Sequence, residues 1–231
     1  MMKKKIFILG ALVIFLVAGA LIWQEIYNRD LKKTECEEPE DILNDICKNL
    51  VRIQAGESSG TGVIIFKNED YLRIASAGHV VGDFDEAAVI ISGSEVLFGN
   101  VVYQSDSPDL CFIDIKSENV LNEFWETLSF CELGKENYEN LKEDEGVYLI
   151  GSVVLNSFTV NEGSVKAKDF YVSDFDMKVL YIYADAFEGM SGGGVFTKSG
   201  KLVGLILGAN DNSEVCAFPL DQLMDKLKEI E

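Results

Sequence analysis

Three side chains of this 231-residue chain have the types and order needed to activate a nucleophile: His79, Asp109 and Ser191. His79 stands in Ala75-Ser76-Ala77-Gly78-His79-Val80-Val81, directly after an apolar run. Asp109 opens Asp109-Leu110-Cys111-Phe112-Ile113-Asp114-Ile115. Ser191 lies in the glycine-rich turn Gly189-Met190-Ser191-Gly192-Gly193-Gly194-Val195. A serine hydroxyl is a poor nucleophile at neutral pH and needs an adjacent base. Neutral imidazole, with a pKa of about 6.5, can take that proton and return it to a leaving group. A carboxylate on the other ring nitrogen fixes the tautomer and stabilises the imidazolium that forms. Negative charge on a tetrahedral intermediate needs preorganised donors, and the backbone N–H groups of Gly189 and Ser191 are the natural pair. Each segment alone has an ordinary explanation: a structural histidine, a turn aspartate, a flexible glycine loop. Their combination in the order His, Asp, Ser is what points to nucleophilic catalysis.

His79 is the only histidine, which removes the HExxH zinc motif and other multi-histidine metal centres. The five cysteines (Cys36, Cys47, Cys111, Cys131, Cys216) have no CxxC spacing. Cys36 and Cys47 are close enough in sequence to bridge; Cys111 and Cys216 sit in apolar strand patterns and read as small core residues.

These side chains must be held by the elements around them. From Leu50 onward, short runs rich in Val, Ile, Phe and Tyr alternate with turn residues. They predict strands at Leu50–Ala55, Gly62–Phe66, Tyr71–Ser76, Ala87–Ile91, Val96–Tyr103 and Leu110–Ile115. A second set follows at Val147–Gly151, Phe158–Lys166, Val179–Ala184, Gly194–Thr197, Leu202–Leu207 and Val215–Phe218. Six strands and six strands predict an all-β body of two antiparallel barrels, residues 50–116 and 146–218, with a cleft between them. A charged connection, 117–145, joins them and carries a short helix at Asn119–Leu128. Leu220, Leu223, Leu227 and Ile230 fall at helical spacing and predict a C-terminal helix over 219–231.

The front of the chain has a different character. Lys3, Lys4 and Lys5 precede an uncharged run from Ile6 to Trp23, whose 18 residues are just long enough to span a bilayer as a helix. The lysines before it and Glu35, Glu37, Glu38, Glu40 and Asp41 after it direct the N-terminus inward and the body outward. Residues 1–23 are thus expected to form a single-pass membrane anchor, with the body extracytoplasmic; Ala18-Gly19-Ala20 leaves open a cleaved signal sequence and a secreted body. Residues 24–49 read as a solvated stem, weakly helical around Asp41 to Cys47. Net charge of −19 repels phosphate backbones and argues against nucleic-acid binding. Hydrophobic residues at 48% supply a proper core, and twenty glycines against three prolines suit a turn-rich β fold.

Taken together, several segments resemble trypsin-like serine peptidases of the HtrA/Deg type. They are Ser59-Gly60-Thr61-Gly62-Val63-Ile64-Ile65, Ala77-Gly78-His79-Val80-Val81, Asp109-Leu110 and Gly189-Met190-Ser191-Gly192-Gly193. Leu133-Gly134 with Glu145-Gly146-Val147-Tyr148-Leu149-Ile150-Gly151 is similar to that family's linker and the first strand of its second barrel. Leu202-Val203-Gly204-Leu205 and Ala217-Phe218-Pro219-Leu220 are similar to its closing strands. The likeness runs from about Val51 to Leu220. It implies a chymotrypsin-like two-barrel fold and metal-free, cofactor-free endopeptidase activity on protein or peptide substrates through His79, Asp109 and Ser191. Met190 departs from trypsin, which has an aspartate there for a zymogen switch. The eleven residues after Leu220 are too few for the PDZ domain usual in the family, which is expected to be absent. Asp185, six residues before Ser191, is either a selector of basic side chains, as in trypsin, or a structural aspartate. Leu207-Gly208-Ala209 would pair with a substrate backbone by β-augmentation. The alternative reading is a catalytically inactive protease-fold module that binds extended peptides.

Overall fold

The computed structural model describes residues 40–91, 95–154, 157–173 and 175–230. The expected anchor at 1–23, the first part of the stem and any Cys36–Cys47 bridge lie outside the described residues. Among the described residues no helix is long and apolar enough to cross a membrane.

Twelve strands form two closed antiparallel barrels. The first contains β1 (Leu50–Ala55), β2 (Ser58–Lys67), β3 (Tyr71–Ser76), β4 (Glu86–Ile91), β5 (Glu95–Asp106) and β6 (Asp109–Lys116). The second contains β7 (Gly146–Val154), β8 (Ser157–Val172), β9 (Met177–Tyr183), β10 (Gly194–Thr197), β11 (Leu202–Ala209) and β12 (Glu214–Pro219). Strand order is β1-β2-β3-β6-β5-β4 in one and β7-β8-β9-β12-β11-β10 in the other, the same path traced twice. No repeat is visible in the sequence, because a barrel asks of each strand only inward apolar residues and outward tolerance. Closure leaves no long unpaired edges. The interiors are filled by fully buried side chains such as Ile53, Ile74 and Phe112 in the first barrel and Leu149, Phe196 and Phe218 in the second.

Strand positions agree with the periodicity, although β5 and β8 run on to Asp106 and Val172, and two helical segments also differ from expectation. Glu40–Cys47 is a helix that buries Leu43 and Ile46, so residues 40–49 belong to the folded body and not to a solvated stem. Ile46 lies near Gly200 in the β10–β11 turn, while the Asn49 carbonyl accepts the Ile64 N–H at 2.8 Å, so this segment touches both barrels. Its charged residues obscured an amphipathic face only two turns long. The helix expected over Asn119–Leu128 contracts to Asn122–Trp125, because Val120 and Leu121 are extended and no side chain caps its start. The connection is nonetheless a packed strap: Trp125, Leu128, Tyr138 and Leu141 are buried, and the Lys67 ammonium donates to the Trp125 and Leu128 carbonyls. The C-terminal helix, Leu220–Ile230, buries Leu220 and Leu223 and packs Leu227 and Ile230 partly against the core.

Because Leu43 closes the body from outside the barrels, Leu43→Ala is expected to lower unfolding free energy by about 2–5 kcal/mol. Denaturant unfolding of the two proteins measures this; a solvated segment would show no change.

Candidate active site

His79 lies in a single helical turn, Gly78–Val81, immediately after β3, and Asp109 is the first residue of the adjacent β6. Asp109 is buried and holds the histidine at two points. Its Oδ1 accepts the His79 backbone N–H at 2.9 Å, and its Oδ2 faces His79 Nδ1 at 2.7 Å. Gly78 is needed for this approach: a Cβ there would sit 2.4 Å from the Ser105 carbonyl oxygen and 3.1 Å from Asp109 Oδ1. The hydrogen bond that the ring N–H donates to the Asp109 carboxylate raises the His79 pKa above its ordinary value of 6.5, against partial desolvation, which lowers it. The contact therefore stabilises the fold fully below the unfolded histidine pKa, and this contribution is lost as pH rises through the folded one. Behind the turn, the Cys111 thiol donates to the Ala77 carbonyl, and burial pushes its pKa up, leaving it inert as a nucleophile.

Ser191 comes from the other barrel, in the turn that leads into β10. Gly189 and Gly192 have φ of +92° and +79°, a region that favours glycine. Gly192 also has no space for a side chain, since a Cβ would meet Ser76 Oγ at 2.0 Å and the Thr61 carbonyl at 2.2 Å. These close approaches bring the serine turn against Ser76 and Ala77, just ahead of the histidine turn. Gly60 borders both as well, with Val80 on one side and the Ser191 carbonyl on the other. The Ser191 hydroxyl itself donates to the Leu207 carbonyl at 3.4 Å; among the described residues no hydrogen bond joins it to His79. The Gly189 and Ser191 N–H groups have no acceptor among the described residues, whereas Met190, Gly192 and Gly193 all donate within the fold.

Thr61 on β2 fixes this turn. Its hydroxyl donates to the Gly189 carbonyl at 2.8 Å and accepts the Ser152 N–H at 2.7 Å. Its backbone N–H donates to the Ser191 carbonyl at 2.8 Å. Ser76 Oγ in turn donates to the Thr61 carbonyl at 2.6 Å. Arg52 adds a second tie between barrels by donating to the Ser152 carbonyl and hydroxyl, while its other terminal nitrogen donates to Ser59 within the first barrel. Thr61 stands in Ser59-Gly60-Thr61-Gly62, but nothing in that local sequence signals that the partners of its hydroxyl are more than ninety residues away.

A cavity of about 260 Å³ opens beside Ser191, lined by Ala186, Phe187, Glu188, Ile206, Gly208 and Ala209. Gly208 and Ala209 border it, while Leu207 is buried and reaches Ser191 through its carbonyl. β10 accompanies β11 only as far as Leu205, so Gly208 and Ala209 pair with β12 on one side only, after a register shift at Leu207. Asp185 is not among the lining residues. Its carboxylate accepts the Ser213 hydroxyl at 2.6 Å and its carbonyl accepts the Asn161 amide at 2.7 Å, so it ties surface segments together.

The trypsin-like peptidase domain family matches residues 60–205. The chain belongs to that family. Among curated proteins it is 28% identical over 187 residues to a serine protease HtrA-like protein of Staphylococcus aureus strain MRSA252, and 27% identical to the counterpart in strain USA300. Each alignment takes in 74% of this chain and 23% of the relative, so the chain spans about a quarter of their length. Among solved structures, the Rv3671c protease in its inactive form superposes with a TM-score of 0.66 over 82% of this chain and 92% of that one, at 19% identity, a likeness of fold.

If Thr61 positions the Gly189 turn, Thr61→Val is expected to lower kcat for peptide hydrolysis about ten- to hundredfold with KM little changed, because it misplaces a transition-state donor. Thr61→Ser should restore most of the rate. Steady-state kinetics of the two variants checks the split; an equal loss in both would indicate packing alone.

Proposed function

We propose that this trypsin-like domain is a serine endopeptidase in which Ser191 is the nucleophile, His79 the general base and acid, and Asp109 the group that orients and charges the imidazole. The observation that carries this reading is the two-point hold of Asp109 on His79, in a turn that packs against the one bearing Ser191. In the first step the Ser191 hydroxyl rotates from Leu207 toward His79, which takes its proton as Oγ attacks the substrate carbonyl. The Gly189 and Ser191 N–H groups receive the developing oxyanion. His79 then gives the proton to the departing amine, leaving an acyl-enzyme; water reverses the sequence and frees Ser191. A peptide laid along Leu207–Ala209 would add a strand to β11 and place one side chain in the Ser191 cavity.

The substrates we propose are extracytoplasmic proteins or peptides. This location rests on the uncharged run Ile6–Trp23 behind Lys3, Lys4 and Lys5, which supports a membrane anchor.

A second reading has one specific observation in its favour. The Ser191 hydroxyl engages Leu207 and not His79, as it would in a module that binds extended peptides without cleaving them. A fluorophosphonate probe separates the two readings. Labelling of the full chain that vanishes in Ser191→Ala, with hydrolysis down about a millionfold, supports the enzyme. A folded, unlabelled wild type that binds peptide supports the module. Activity should also fall on acidification with a midpoint above about 6.5, the ordinary histidine value, because Asp109 favours the protonated ring. A pH–rate profile of kcat/KM measures that midpoint.

A further inference from the structure

A second cavity, about 330 Å³, lies beside the first, and Gly208 and Ala209 form the lip the two share. Its wall is aromatic, with Phe170 from β8, Tyr181 from β9 and Phe175 between those strands. The Phe170 and Tyr181 rings stack at 4.8 Å, and Phe170 remains exposed. One carboxylate, that of Glu214 on β12, also lines the cavity. It accepts the Asn210 amide at one oxygen, which leaves acceptor positions for a ligand. Interaction with the Tyr181 hydroxyl and the Asn210 amide holds the Glu214 carboxyl below its ordinary range, so it is charged at neutral pH, and the neighbouring carboxylate pushes the Tyr181 hydroxyl up to about 12. Asn210 and Glu214 also close the β11–β12 turn through their backbones, which accounts for the amide contact but not for the aromatic wall.

An aromatic wall with an ionised carboxylate favours a cation over a neutral apolar group. Ring faces attract positive charge, and the carboxylate supplies a charge-assisted hydrogen bond. The chain's net charge of −19 draws basic peptides in the same sense. Direction follows from the antiparallel pairing of this barrel. A peptide whose reacting residue sits near Leu207 and which continues past Ala209 runs toward its own N-terminus.

We propose that this cavity binds a lysine or arginine side chain of the peptide, roughly two to four residues before the bond that Ser191 would attack, given a strand rise of about 3.3 Å per residue. The direction assigned to the peptide rests on the peptidase reading; binding itself needs no turnover.

The test uses the full chain carrying Ser191→Ala and fluorescent peptides with lysine, or its uncharged analogue norleucine, at each of these positions. Anisotropy titration should find one position where lysine binds about tenfold more tightly than norleucine. Glu214→Gln and Phe170→Leu should each bring that ratio toward one, with unfolding midpoints showing that both variants fold. A lysine placed beyond the scissile bond should give no such preference, since bulk charge alone would act at either place. No lysine preference at any position, or one untouched by Glu214→Gln, overturns the proposal. If the wild type cleaves these peptides without that preference, the cavity proposal fails and the peptidase reading stands. If the preference is present in binding but the wild type neither cleaves nor labels, the peptidase reading fails and the cavity proposal stands.

Discussion

One buried hydroxyl joins the two halves of this site. Thr61 belongs to the first barrel, yet its donor goes to Gly189 and its acceptor position to Ser152, both in the second. Burial is what gives the arrangement its force. A hydroxyl in water would exchange partners freely, whereas a buried carbonyl or N–H that loses its partner costs about 1–3 kcal/mol. The glycine turn is therefore held relative to β2, and β2 is held relative to the histidine turn by Ser76 and Val80. The proposed nucleophile, Ser191, and the proposed base, His79, come from separate barrels, so their relation is only as firm as these ties.

Within the first barrel, the same logic sets the electrostatics. Asp109 is buried beside the half-exposed His79, which it meets through both carboxylate oxygens. One contact fixes the turn's backbone and the other the ring's tautomer, so position and basicity are set together. This division suits the proposed role of His79 as a base that holds still while Ser191 turns from Leu207 toward it.

Much of this was legible in the sequence, for identifiable reasons. Barrel strands announce themselves because each is a local pattern of apolar residues between turns, and the three chemical segments stood at strand ends where a turn exposes them. Long-range ties left no such mark. Thr61 reads as one polar residue in a strand, and Phe170, Tyr181 and Glu214 are far apart in sequence until β8, β9 and β12 pair. The Glu40–Cys47 helix was legible as a weakly helical stretch, but its charged residues masked the short face that packs on the body. Asp185 was legible only as a choice between a selector of basic side chains and a structural aspartate; its carboxylate accepts the Ser213 hydroxyl, a contact no spacing in the sequence signals. Cys216, read as a core residue, is half-buried on the wall of the aromatic cavity.

The proposed peptidase chemistry depends most on the Asp109-held imidazole, and the presence of a single histidine makes that group directly measurable. Titration of the His79 ring followed by NMR should give a pKa above about 6.5, falling when Asp109→Asn removes the carboxylate. A value at or below that reference, unmoved by the substitution, would contradict the role given to Asp109.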